Sequence, residues 1–338
     1  MSTISSRRIH FKSGMVAALL LACSLVATNT CAADEELVTF YPAYGYREGD
    51  DWVITIRIWV HEPRAMIQGL TTKMTAAMTD LTPGELTNFR ARIQCFVMDS
   101  ESGEAIAFKF DHDPEGKIYR SPEDFPETDL NGLVEGAIVR LPVAKASVLL
   151  SRQDSRDGWL SYHATSKQHS GMGKVKLIDP TGLSVISDID DTVKVTNIPA
   201  GTNAVVRNTF FRDFVAAPSM AVTYQTWKGA AFHYVSGSPW QLYAPLSEFL
   251  FSDKAGFPEG TFHMRQVSKN LLSGDTWESL KDLVFDENAT TEQKLSQISE
   301  IMQRFPERTF ILVGDSGERD PEVYREIRRR FPNQVQEI

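Results

Sequence analysis

Leu183-Ser184-Val185-Ile186-Ser187-Asp188-Ile189-Asp190-Asp191-Thr192 decides how the second half of this chain folds. A short apolar run of strand length ends in three carboxylates within four residues. Such acids repel one another, and burying them at a strand end is costly. A hard cation relieves both problems. An EF-hand loop is the obvious competitor and fails, because Val193 stands where its turn glycine belongs and Pro199 where its bidentate glutamate belongs.

Outward from this stretch, strands and helices alternate. Asn203 to Ala216 is helix-like, Ala231 to Val235 a strand, Trp240 to Phe251 a helix and Thr261 to Val267 a strand. Thr291 to Phe305 is a helix, Thr309 to Val313 a strand and Pro321 to Phe331 a helix. This grammar predicts a parallel sheet with right-handed crossovers, whose ligands bind at the carboxyl ends of the strands.

Residues 34–178 read differently. Trp52 to Val60, Phe89 to Met98, Ala105 to Phe110, Leu133 to Leu141, Ala146 to Leu150 and Gly158 to Thr165 are short strand candidates between turn residues, a sandwich-like pattern. Met66 to Leu81 reads as a helix, with Pro83-Gly84 as its stop. His163 and His169 lie in a polar stretch with no third metal ligand nearby in sequence and read as surface residues.

The first 33 residues carry Arg7, Arg8 and Lys12, then an uncharged run from Met15 to Ala27, then Cys31-Ala32-Ala33. That is the pattern of a secretory signal peptide, and the run is shorter than the roughly 20 residues a membrane-spanning helix needs. The expected organisation is a signal at 1–33, a β-rich accessory domain at 34–178 and a catalytic α/β domain at 179–338, with the product exported to a periplasm or secreted. The 338 residues carry a net charge of −9, and losing three cations but no acid with the signal takes it to −12. An acidic chain is a poor general binder of nucleic acid. Of the three cysteines only Cys95 lies beyond the signal, so no disulfide framework is expected.

Two further strand ends carry chemistry. Tyr234-Val235-Ser236-Gly237-Ser238-Pro239-Trp240 offers a hydroxyl and free amides to an anion. Phe310-Ile311-Leu312-Val313-Gly314-Asp315-Ser316-Gly317-Glu318-Arg319-Asp320 delivers acids again. Its Gly-Asp-Ser-Gly is not the nucleophile loop of a trypsin-like protease, since Glu318 and Arg319 follow it and no catalytic-histidine segment precedes it. Lys294 opens an amphipathic segment with Leu295, Ile298, Ile301 and Met302.

In this order the pieces resemble haloacid-dehalogenase-like phosphatases: Asp188-Ile189-Asp190-Asp191-Thr192, a strand ending in Ser236, Lys294, then Gly314-Asp315 with Asp320. From about Leu183 onward, with Gly256-Phe-Pro-Glu-Gly-Thr-Phe-His-Met-Arg265 included, the chain looks like the catalytic domain of actin-patch-protein-type phosphatidate phosphatases, relatives of lipins. The resemblance implies a C-terminal Rossmann-like parallel sheet and an Mg²⁺-dependent phosphomonoesterase. Asp188 would be the nucleophile and Asp190 the acid and base. Asp188, the Asp190 carbonyl and Asp315 would hold Mg²⁺, with Asp320 behind them. Thr192, Ser236, Gly237 and Lys294 would hold and orient phosphate, and Arg265 would contact substrate.

The implied substrate is phosphatidate, met at a membrane surface that the apolar residues of the Val193 to Ala230 insertion can touch. A soluble phosphomonoester, and a catalytically inactive binding module, remain open on sequence alone. The oligomeric state is not legible.

Overall fold

A computed structural model describes residues 36–62, 80–166, 168–267, 279–281, 283 and 287–338. The expected signal peptide and most of the Met66 to Leu81 helix lie outside these residues. The strands of the first half are β1 (Glu36–Phe40), β2 (Ala43–Glu48), β3 (Asp51–Glu62), β4 (Asp99–Ser100), β5 (Ala107–Phe110), β6 (Tyr119–Arg120), β7 (Leu133–Pro142), β8 (Trp159–Ala164), β9 (His169–Ser170) and β10 (Met172–Leu177). They form one continuous hydrogen-bonded sheet built on β3. β1 and β2 lie end to end along one edge of β3, and β7 covers the other. β9 and β10 then run parallel to β1 and β2, and β8, β5 and β6 extend the sheet outward.

The second half is an all-parallel sheet: β11 (Gly182–Ser187), β12 (Ala231–Pro239), β13 (Gly260–Arg265), β14 (Arg308–Val313) and β15 (Val335–Glu337), in the order β13-β12-β11-β14-β15. A mostly β first half and a parallel α/β second half are what the sequence led us to expect. Ser187 at the end of β11 is level with Tyr234 and Val313 on its neighbours. Asp188, Ser236 and Gly314 therefore leave the sheet at one edge.

Two predicted strands are helices. All but the last residue of the Phe89 to Met98 candidate falls in α1 (Pro83–Val97), whose Thr82 cap accepts from the Glu85 amide while Glu85 accepts from the Thr82 amide. Pro83 thus opens a helix at its first position, where its missing N–H costs nothing. Phe89, Ile93 and Phe96 are spaced for one helical face. Residues 146–150 fall in α2 (Val143–Arg152), with Ala146 and Leu149 buried one turn apart. A third expectation is shortened: the segment from Asn203 gives only α3 (Thr202–Val206) and a wide turn over Arg207–Phe211. Its carbonyls are taken by α1, since Arg92 donates to Thr209 and Arg212 and Asn88 donates to Phe211. Two short helices follow, α4 (Met220–Tyr224) and α5 (Tyr243–Leu250).

Both faces of the parallel sheet are covered partly by the first half. Phe89, Ile93, Tyr41 and Trp59 share a core with Val185, Phe232 and Phe210. Tyr44, Tyr46 and Val53 share another with Ile186, Phe310 and Ile298. Phe89 stacks on Phe211 with ring centres 4.8 Å apart. A core continuous across both halves predicts one cooperative unfolding transition. Phe89→Ala is expected to cost about 3–5 kcal/mol and to shift that whole transition in calorimetry; two separately melting halves would show that the shared core does not couple them.

Candidate active site

The site is assembled by loops that leave the parallel sheet together. After β11 the chain makes one tight turn, with the Val193 and Lys194 amides bonded to Ile189 O. The Asp188 amide donates to Val313 O, tying this turn to β14. β12 and β13 fall out of register between Val235 and Pro239, so residues 236–238 bulge toward the turn. A Cβ on Gly237 would lie 2.6 Å from Thr290 Cγ2 of α6 (Glu287–Arg304), so only glycine admits the helix here. Gln293 donates to Ser236 O and Gln297 to Met264 O, which fixes α6 against the strand ends.

α6 delivers Lys294, which is 2% exposed. Its Nζ donates to Asp188 Oδ1 at 2.8 Å, Asp320 Oδ1 at 2.6 Å and Glu318 Oε2 at 3.1 Å. Burial pushes Asp188 and Asp320 above the usual carboxylate range and Glu318 up to about 7, with Lys294 acting against that rise. Burial opposes the ammonium too, but the three acids hold its pKa well above the usual lysine value. One cation facing three carboxylates leaves the cluster short of positive charge.

The donor set fits a hard cation. Among the described residues, Asp188 Oδ2, Asp315 Oδ2 and Asp320 Oδ2 are buried without a hydrogen-bond partner, and Asp188, Glu318 and Asp320 lie within metal-sharing reach of one another. Asp315 Oδ1 accepts from the Gly317 and Glu318 amides, which shapes the last loop. The Asp315 amide acts against the rise in the Asp320 pKa, while the Asp315 carboxylate adds to it. Asp320 opens α7 (Asp320–Arg330) and packs over Gly314, where a Cβ would meet a Tyr324 ring carbon at 2.7 Å.

Asp190 has a different environment. Its Oδ1 takes Thr196 Oγ1 at 2.6 Å and Lys194 Nζ at 2.8 Å; its Oδ2 takes Ser238 Oγ at 3.0 Å and Ser236 Oγ at 3.2 Å. Burial favours its neutral form, but the Lys194 charge and these hydrogen bonds outweigh it and hold the carboxyl down at about 2. Asp191 organises the loop: with φ +53 it accepts the amides of Thr196, Asn197 and Ile198. Thr192 is buried, and its hydroxyl has no partner among the described residues.

The structure therefore brings together Asp188, Asp190, Thr192, Ser236, Gly237, Lys294, Asp315 and Asp320. Arg265 is turned to the backbone, donating to Gly237 O at 3.0 Å and to Leu283 O. Sequence reasoning passed over Lys194, Thr196 and Ser238. A lysine, fully buried, four residues after an acid in a motif already singled out is the signal that identifies the first of these.

Residues 183–338 match the family model described as the catalytic domain of phosphatidate phosphatase APP1. A phosphatidate phosphatase APP1 from Saccharomyces cerevisiae is 34% identical over 163 residues, 47% of this chain and 25% of its own. An uncharacterized protein of Schizosaccharomyces pombe is 30% identical over 170 residues, 48% of this chain and 26% of its own. The chain thus spans about a quarter of the length of these curated relatives. A solved Pnkp1/Rnl/Hen1 complex is similar at 17% identity with a TM-score of 0.29, covering 46% of this chain and 45% of that one, too weak a likeness to carry an argument.

Removing the ammonium tests the electrostatics directly. Lys294→Met is expected to destabilise the chelator-treated protein by roughly 3–5 kcal/mol, and millimolar Mg²⁺ is expected to raise the melting temperature of this variant more than that of the wild type. Equal Mg²⁺ shifts would show that the cation does not relieve the same carboxylates.

Proposed function

We propose, on the premise that residues 183–338 form an APP1-like phosphatidate phosphatase catalytic domain, that the protein is an Mg²⁺-dependent phosphomonoesterase working through an aspartyl-phosphate, with phosphatidate as substrate and diacylglycerol as product. The observation that carries this reading is the buried Asp188, with Oδ1 held by Lys294 and Oδ2 without a hydrogen-bond partner among the described residues.

Asp188 attacks phosphorus and the bond to the glycerol oxygen breaks. Lys294, held in place by Asp320 and Glu318, keeps the attacking carboxylate oriented and then meets the negative charge developing on the phosphoryl oxygens. Ser236 and the Gly237 amide hold further phosphate oxygens, and Thr192 orients the first loop. Asp190 passes a proton to the leaving oxygen. Because Lys194 and three hydroxyls keep Asp190 ionised, that proton comes from the phosphate monoanion of the substrate. The same ionised carboxylate then takes a proton from the water that attacks the phosphorus and frees Asp188. Asp188, the Asp190 carbonyl and Asp315 would hold Mg²⁺, with Asp320 behind them. Bound there, Mg²⁺ supplies positive charge to the phosphoryl group and offsets the acids around it.

The segment between the first two motifs supports a lipid substrate. Ile198 and Val205 line the cleft beside Asp190. Val215 and Val222 are 57% and 73% exposed on the same segment, an apolar surface suited to a bilayer. Export, read from residues 1–33, is part of the proposal and puts this chemistry outside the cytoplasm.

Asp188→Asn is expected to leave less than about 1% of wild-type phosphate release, and chelation of divalent cations to abolish it; substantial turnover in either case overturns the nucleophile or metal assignment. Val215→Asp with Val222→Asp is expected to lower turnover of liposomal phosphatidate about tenfold or more and to leave turnover of a monomeric short-chain phosphatidate unchanged. Rapid turnover of soluble sugar phosphates without liposomal activity would replace the lipid by a soluble substrate. No turnover and no thermal shift with beryllofluoride plus Mg²⁺ would make the chain a binding module.

A further inference from the structure

His169 is not the surface residue its polar neighbours suggest. Its side chain is 2% exposed. The parallel pairing of β1 and β9 sets it directly opposite Glu36. Nε2 lies 2.6 Å from Glu36 Oε2 and 3.6 Å from Glu104 Oε2, while Nδ1 lies 2.5 Å from Ser166 Oγ. Glu104 is placed by its own amide, which donates to Thr128 Oγ1 at 2.8 Å; that hydroxyl donates in turn to Glu101 O. One ligand atom from each of the three residues lies within 4.8 Å of the others.

Two carboxylates converge on one buried imidazole. Nε2 is within hydrogen-bond reach of Glu36 only, so Glu104 faces the same nitrogen without a bond to it. Among the described residues no lysine or arginine is paired with either acid. Ser166 fixes the ring by one nitrogen and directs the other at the carboxylates, the way a metal-bound histidine is usually oriented by a hydrogen bond on its far side. Glu104, at 31% exposure, stands on the solvent side, which leaves access for a water as a further ligand. An imidazole nitrogen with two carboxylate oxygens suits zinc, whereas magnesium and calcium favour oxygen-only sets.

We propose that Glu36, Glu104 and His169 bind a zinc ion on the β-rich sheet, apart from the phosphatase carboxylates. The ion joins the start of β1, the approach to β5 and the short strand β9, three segments distant in sequence. Because the unfolded chain does not assemble these ligands, binding stabilises the folded state.

The test is zinc binding to the full chain after chelator treatment, by equilibrium dialysis and thermal melting in millimolar Mg²⁺. Wild type, His169→Gln and Glu104→Gln are compared. Wild type is expected to bind one zinc more than His169→Gln and to gain a melting-temperature increment that the variant lacks. Glu104→Gln is expected to weaken that site at least about tenfold. Equal zinc stoichiometry and equal thermal shifts in wild type and His169→Gln would overturn the site and leave an ion pair only. If His169→Gln does not fold, Glu104→Gln, which keeps the His169–Glu36 contact, decides: unchanged affinity overturns the proposal. Calcium bound at the same ligands as tightly as zinc would overturn the assignment of the metal.

Discussion

A single buried ammonium holds the acidic edge of the parallel sheet together. Lys294 touches Asp188, Glu318 and Asp320, and without positive charge these acids would be forced to repel or to take up protons. The surrounding structure serves that placement. Parallel pairing levels the ends of β11, β12 and β14, the bulge at residues 236–238 turns two serines toward Asp190, and glycines at 237 and 314 let α6 and α7 close over the edge. The cluster still lacks positive charge after Lys294 is counted, so a divalent cation fits it better than a second lysine would.

A second ammonium, Lys194, gives the two acids proposed as catalytic opposite characters. Asp188 shares its lysine with other carboxylates and is pushed upward by burial, whereas Asp190 has Lys194 and three hydroxyls to itself and stays ionised. Two acids two residues apart are thereby given different surroundings, one by a lysine from a helix and the other by a lysine of its own turn with serines from β12. That separation is the kind expected where one acid attacks and the other moves protons.

Much of this was legible in the linear chain, because parallel strands announce themselves as short apolar runs and their polar ends mark the binding edge. The three acidic or hydroxyl-bearing loops fell at that edge, and Lys294 reached it from the amphipathic helix in which the sequence placed it. What escaped depended on contacts between distant residues. Phe89 to Met98 is apolar enough for a strand, and only the Thr82–Glu85 cap and the helical spacing of its buried residues separate the two readings. Asn203 to Ala216 has helical composition, but Asn88 and Arg92, more than a hundred residues earlier, capture its carbonyls. Arg265 looked free to meet substrate until the backbone of Gly237 and Leu283 came to it. His169 acquired its carboxylates only through the pairing of β9 with β1, which no local pattern encodes.

The central claim is that Asp188 is phosphorylated during turnover. Rapid acid quenching of the enzyme turning over phosphatidate labelled in its phosphate, followed by proteolysis and peptide mapping, tests it most directly. The account predicts label on the peptide that contains Asp188, lost on treatment with hydroxylamine and absent from Asp188→Asn. Steady turnover with no labelled enzyme, or label on another residue, would contradict it.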